Sequence, residues 1–109
     1  MAFNRKQLGA VQLGVAETTI YPSGAAVTGT IGRLSFYNTS STLTETITVY
    51  NPHSGAAGSD DIMEIITLGP KKTYVCRAAV NAVVPGGYIL SALTTTAATV
   101  NAFCDGGEE

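Results

Sequence analysis

Turn-forming residues divide this sequence at short intervals, and this feature limits the folds open to it more than any other. The breaks include Pro22-Ser23-Gly24, Gly69-Pro70 and Pro85-Gly86-Gly87. The runs between them are rich in Thr, Val, Ile, Tyr and Phe, which favour strands. Only residues 77–84 have a helical pattern, and Pro85 limits that stretch to about one turn. The sequence therefore predicts an all-β chain.

The runs are short enough to give about seven to eight strands. We place these strands at residues 11–15, 18–21, 27–37, 43–50, 62–68, 72–76, 88–93 and 97–104. Closely spaced strands with no helices between them favour an antiparallel β-sandwich. The pattern does not give the strand order, so immunoglobulin-like and jelly-roll topologies both remain open.

Two of these runs alternate clearly between apolar and polar residues. In residues 27–37, Leu34 and Phe36 share one face, and the residues between them share the other. In residues 43–50, Leu, Ile and Val share a face with Glu45. Because residues 38–41 form a short polar turn, we predict that the two runs pair as a hairpin. Arg33 is then the candidate ion-pair partner of Glu45, since a carboxylate is rarely buried alone.

The length of 109 residues fits one domain spanning residues 1–109. Residues 1–10 carry no strong pattern and are a candidate N-terminal arm that docks on a neighbour. Residues 105–109 are acidic and Gly-rich, so we expect a loose tail. Residues 51–61, NPHSGAAGSDD, are expected to form a mobile surface loop.

The chain has few charges, and this excludes some functions. Charged residues make up 13% of the sequence, against about a quarter in a usual protein, and the net charge is -2. The six basic residues are dispersed, so no nucleic-acid partner is expected. The first 17 residues are too polar for a signal peptide and too short to span a membrane, so we expect cytoplasmic synthesis and no membrane partner. In that compartment Cys76 and Cys104 are expected to be small buried residues.

No motif in the sequence predicts catalysis or a cofactor. His53 is followed by Ser54 and lies near Asp60 and Asp61, but no nucleophile elbow accompanies it. We interpret His53 as a solvated loop residue. The acidic group formed with Glu64 lacks the EF-hand pattern, so no metal is assigned. We therefore expect no enzymatic activity and no cofactor.

Six residues are candidates for contact with a partner protein. The aromatic side chains of Tyr37 and Tyr50 are predicted to meet on the outer face of the expected hairpin. His53 belongs to the loop that follows. The remaining three candidates lie on the N-terminal arm, namely Phe3, Arg5 and Lys6.

Parts of the chain resemble small structural virion proteins of tailed bacteriophages. The resemblance runs over roughly residues 17–104 and rests on IGRLSFYNTSS at 31–41, ETITVY at 45–50, LGPK at 68–71, PGGYILSA at 85–92 and AATVNA at 97–102. It implies a non-enzymatic decoration protein located in the virion, with the major capsid protein or other virion proteins as partners and with homo-oligomer formation. Alternatives are a neck, tail or fibre-base component, or a receptor- or glycan-binding module.

Overall fold

The computed structural model describes the backbone of residues 4–109 and the side chains from Lys6 onward. Nine strands fill most of this range, and two single 3₁₀ turns at Ser59–Asp61 and Arg77–Ala79 separate some of them. The strands are β1 Asn4–Gln12, β2 Thr18–Pro22, β3 Gly29–Asn38, β4 Glu45–His53, β5 Ile62–Leu68, β6 Thr73–Val75, β7 Val83–Val84, β8 Ile89–Thr94 and β9 Val100–Glu108.

The strands form two antiparallel sheets that face each other. Sheet A has the order β1-β9-β3-β6, with β7 also paired to β3, and sheet B has the order β2-β8-β4-β5. The buried apolar side chains of both sheets form one cluster that includes Ile31, Leu34, Phe36, Ile47 and Val49. The predicted antiparallel β-sandwich is confirmed.

The pairing of the strands is nested along the chain. The first strand pairs with the last, β2 with β8, β3 with β6 and β7, and β4 with β5. A long antiparallel ribbon that is folded over itself gives this nesting, and it is the topology of a jelly roll. The jelly roll is therefore the correct choice between the two topologies left open by the sequence.

The predicted hairpin between residues 27–37 and 43–50 is wrong. The alternation is confirmed, because Leu34, Phe36, Ile47 and Val49 are all fully buried. However, β3 belongs to sheet A and β4 to sheet B, so the polar segment between them is an arch from one sheet to the other. Asn38 holds this arch: its side-chain amide donates to Leu43 O at 2.8 Å and to Leu68 O at 3.0 Å.

Glu45 also differs from its prediction. Its side chain is fully buried, and one oxygen, Oε1, accepts hydrogen bonds from the Thr94 and Thr95 hydroxyls and the Thr96 amide at 2.9 to 3.0 Å. Arg33 lies on the other sheet, so the predicted ion pair is wrong. Hydroxyl and amide donors at the end of β8 replace it, and these cannot be recognised before the strand order is known.

Neither end of the described range is loose. Strand β9 runs to Glu108 between β1 and β3, Gly106 and Gly107 are buried, and the Glu109 amide donates to Thr28 O at 3.0 Å. The expected loose tail at 105–109 is therefore wrong. The expected arm is wrong for residues 4–10, because they belong to β1 and pair with β9.

Candidate binding surfaces

His53, Glu17 and Ser91 form a polar cluster at one end of sheet B. The Glu17 carboxylate contacts His53 Nε2 at 2.7 Å and accepts from the Ser91 hydroxyl at 2.6 Å and the Ala57 amide at 2.9 Å. His53 is the last residue of β4 and is 6% exposed. The expectation of a solvated histidine in a mobile loop is therefore wrong, since Glu17 fixes the loop to the sheet.

This cluster contains the residue types of a hydrolase triad but not its geometry. In a triad the histidine contacts the serine hydroxyl and the carboxylate orients the histidine. Here the Ser91 hydroxyl donates to Glu17, and the second ring nitrogen of His53 lies 2.8 Å from the Asn51 carbonyl oxygen. Ser91 is also fully buried, so no substrate can reach it. The cluster is a structural connection between three segments.

The connection should depend on pH. Burial lowers the pKa of His53, but hydrogen bonds to Asn51 and Glu17 outweigh it and raise the pKa above 6.5. Burial raises the pKa of Glu17, but hydrogen bonds from Ser91, Ala57 and His53 outweigh it and lower the pKa below 4.5. The stabilisation from protonated His53 is complete below pH 6.5 and is lost as the pH rises through the pKa of His53 in the folded protein. The stabilisation from ionised Glu17 is present above pH 4.5 and is lost as the pH falls through the pKa of Glu17 in the folded protein.

We therefore predict that the Ala57 amide is most protected from hydrogen exchange between about pH 4.5 and 6.5. After correction for intrinsic exchange, Glu17→Gln should lower the protection of the Ala57 amide by about five-fold. This corresponds to about 1 kcal/mol in the free energy of local opening. Amide exchange measured by NMR across this range checks the prediction. Equal protection in Glu17→Gln and in the unmodified chain would contradict it. The internal control is the Ser40 amide, which donates to the uncharged Asn38 side chain in a different segment.

A second polar cluster closes the gap between the edges of the two sheets. The Tyr74 hydroxyl donates to Glu64 Oε2 at 2.5 Å, and the Cys76 thiol donates to Glu64 Oε1 at 3.3 Å. The bond to Glu64 raises the pKa of Tyr74 to about 12, and burial raises the pKa of Cys76 to about 11. Both oxygens of Glu64 therefore accept hydrogen bonds from Tyr74 and Cys76, and Glu64 does not form an acidic cluster with Asp60 and Asp61. The described residues contain no group of metal-ligating side chains.

Both cysteines are buried, as the sequence predicts. Cys76 and Cys104 each carry a free thiol, and burial raises the pKa of Cys104 to about 12. A thiol with such a raised pKa is protonated at neutral pH and reacts slowly.

The structure separates the six predicted contact residues. Phe3 lies outside the described residues, and for Arg5 only the backbone is described. Lys6 forms an ion pair with Glu108 at 2.5 Å. Tyr37 lies on sheet A and Tyr50 on sheet B, so these two rings do not meet as predicted. His53 is buried, and its ring contacts Tyr50 edge-to-face with centroids 6.1 Å apart.

The outer face of sheet B carries a patch without charged side chains. Thr48 lies at its centre, with Ile65 opposite on β5 and Leu93 opposite on β8. Ile65 is 60% exposed. We call this patch the threonine-aliphatic face, and its members are Thr46, Thr48, Tyr50, Ile65, Thr67 and Leu93.

The outer face of sheet A carries a depression of about 340 Å³. It is lined by Gln7, Arg33, Ser35, Phe103, Cys104 and Asp105. Phe103 is 44% exposed. Sequence reasoning did not select Phe103, although its position between the buried residues Ala102 and Cys104 indicates an outward-facing aromatic ring.

Comparisons with known proteins relate this chain to others by fold alone. No family model and no curated protein matches it. A chain from the structure of Bacillus endospore appendages, described as a novel family of disulfide-linked pili, aligns with a TM-score of 0.50 and 15% identity over 98% of this chain and 85% of that one. A chain of the infectious bursal disease virus Gt strain aligns with a TM-score of 0.33 and 14% identity over 96% of this chain and 30% of that one.

No helix in residues 4–109 meets the length and apolarity that a membrane span requires.

Proposed function

We propose that this chain is a non-enzymatic structural subunit that packs against other subunits in a protein shell or fibre. At a finer level, we propose that it decorates the head of a tailed bacteriophage. The observation that carries the proposal is the threonine-aliphatic face, where Ile65, Thr48 and Leu93 form an uncharged row across three strands.

An uncharged face is suited to contact with a second copy of the same chain. Burying it leaves no unpaired charge, which would otherwise cost several kcal/mol. Two copies of a chain with a net charge of -2 repel each other weakly, and contact through this face adds no further repulsion. Charges are also depleted at the centres of known protein interfaces.

The size of the face indicates the kind of assembly. Three strands with a spacing of about 4.8 Å and about five to six residues each at 3.3 Å cover roughly 240 to 290 Å². A stable pair of proteins usually buries about 800 Å² on each side. The face alone is therefore too small for a permanent dimer, but it is suited to a lattice in which each subunit makes several modest contacts.

The proposed assembly does not use disulfide links. The chain has two cysteines, and both are buried within the sandwich. In this respect it would differ from the pili named above, and a reducing agent should leave the assembly intact.

Self-association tests the general proposal. We expect reversible association in sedimentation velocity at protein concentrations up to about 1 mM, and Ile65→Lys should weaken it by at least about ten-fold because a lysine ammonium is costly to desolvate. Val15→Lys is the matched control, since Val15 is also 60% exposed but lies outside the face. A monomer at all concentrations, or equal effects of the two variants, would contradict the role of the face.

Binding to capsids tests the phage-specific part. On this proposal the target is the expanded empty head of the source phage. We expect co-sedimentation at a near-stoichiometric ratio to capsomers, which the major capsid protein would supply as partner. A ring or trimer formed by the chain alone, without binding to heads, would contradict decoration and favour the neck or tail.

A further inference from the structure

The depression on sheet A has a specific origin in the strand register. Strand β9 is flanked by two irregularities, one between Gln7 and Gly9 on β1 and one between Ile31 and Arg33 on β3. Both occur beside Asp105, so the sheet is locally distorted on each side of the same residue. Bulges of this kind redirect side chains and are common beside binding sites.

Phe103 lies in the depression between small in-register neighbours. Its register partners are Ala10 on β1 and Ser35 on β3, which are both small. The ring therefore stays 44% exposed in the middle of a five-stranded sheet. A flat aromatic surface between small residues can be covered by a flat ligand.

The polar side chains around Phe103 have no side-chain partner among the described residues. Among the described residues, Gln7, Arg33, Ser35 and Asp105 make no side-chain hydrogen bond and no ion pair. By contrast, the carboxylates of Glu17, Glu64 and Glu108 all form hydrogen bonds or ion pairs within the protein. The depression thus combines an exposed ring with four polar groups that no side chain from Lys6 onward engages.

The chemistry of these groups selects one class of ligand. Arg33 and Gln7 offer donors, and Asp105, Gln7 and Ser35 offer acceptors, which together match the paired donor and acceptor character of hydroxyl groups. Arg33 and Asp105 cancel in charge, so the depression does not favour an anion. A peptide strand cannot add here, because both edges of β9 are already paired. From this geometry we propose that the depression binds a pyranose ring of a neutral glycan, with the ring stacked on Phe103.

The test is a titration of ¹⁵N-labelled protein with maltotriose, cellotriose and chitotriose, followed by NMR. For at least one of them, we expect shift changes at the amides of the lining residues and a dissociation constant in the millimolar range. Phe103→Ala should weaken this binding by at least about ten-fold, and Asp105→Asn should weaken it less. The matched control is Tyr88→Ala, because Tyr88 is also exposed, at 39%, but lies outside the depression.

Several results would overturn the inference. These are an absence of shift changes up to about 50 mM of every sugar, binding that Phe103→Ala leaves unchanged, or tighter binding of sialic acid than of the neutral sugars. Because Phe103 is partly exposed, Phe103→Ala should fold, and thermal melting confirms this before the titration. The inference is independent of the proposed assembly, since Ile65→Lys should leave sugar binding unchanged.

Discussion

Gly106→Ala should destabilise the protein by about 3 kcal/mol, the largest effect expected from a single added methyl group in this fold. Gly106 is buried in β9, and a Cβ atom there would overlap the carbonyl oxygen of Thr30 and lie 2.8 Å from the amide nitrogen of Gly32. Both atoms belong to the backbone of the neighbouring strand β3, so no side chain can move to make room.

Thermal melting checks this prediction. For a domain of this size, about 3 kcal/mol corresponds to a decrease in melting temperature of about 15 °C. Gly58→Ala is the matched control, because a Cβ there would make only an ordinary contact, 3.9 Å from Asp61 Oδ2. We expect that variant to stay within about 0.5 kcal/mol of the unmodified chain. A melting temperature for Gly106→Ala within a few degrees of the control would contradict the close approach of β9 and β3.

Glu45→Ala should be destabilising by about 4 kcal/mol, because it combines a cavity with lost hydrogen bonds. Three donors, the Thr94 and Thr95 hydroxyls and the Thr96 amide, would lose their common acceptor. Glu45→Gln should cost about 1 to 2 kcal/mol, since its amide oxygen can replace Oε1. The other oxygen, Oε2, is buried and has no partner among the described residues, so the new amide group breaks no existing bond there.

Urea unfolding of both variants checks the order of these effects, and its pH dependence adds a second readout. Burial raises the pKa of Glu45, but hydrogen bonds from Thr95, Thr94 and Thr96 outweigh it and lower the pKa below 4.5. The carboxylate therefore stabilises the fold above pH 4.5, and this contribution is lost as the pH falls through its folded pKa. Glu45→Gln should remove that part of the acid sensitivity.

A control for Glu45 lies on the same strand. Thr46 points to the opposite side of β4, so Thr46→Ala should cost less than about 1 kcal/mol. A smaller loss in Glu45→Ala than in Glu45→Gln would contradict the role of Oε1 as an acceptor.

The local pattern of the sequence predicted most of the strands but not their partners. It placed the first strand at residues 11–15, whereas β1 spans Asn4–Gln12, and it missed β7. The alternation around Leu34 and Phe36 gave the buried side of β3 correctly, because alternation depends only on neighbouring residues. Pairing between strands depends on positions far apart in the chain. Among the nested pairs, only β4 and β5 are consecutive in the chain. Consecutive strands usually pair, and applying this general preference to β3 and β4 gave the wrong hairpin.

The candidate sites were predictable only in part, for the same reason. The depression combines residues of β1, β3 and β9, and Gln7 meets Asp105 only because the first and last strands pair. The Gly-rich end of the chain illustrates a second difficulty. Gly106 and Gly107 suggested a loose tail, although glycine within a strand equally marks a close approach of two backbones. Only the fold decides between these interpretations.

The central position of β9 has a consequence for biosynthesis. In sheet A, β1 pairs with β9 alone, and β9 is synthesised after the other eight described strands. While the ribosome is still producing residues 100–108, the nascent chain holds β1 with no partner, and one side of β3 is also unpaired. Most contacts in sheet A therefore join distant positions and form late, which slows folding. A chaperone that shields exposed strand edges should associate with this polypeptide until residues 100–108 have been synthesised and β9 has paired, and then release it.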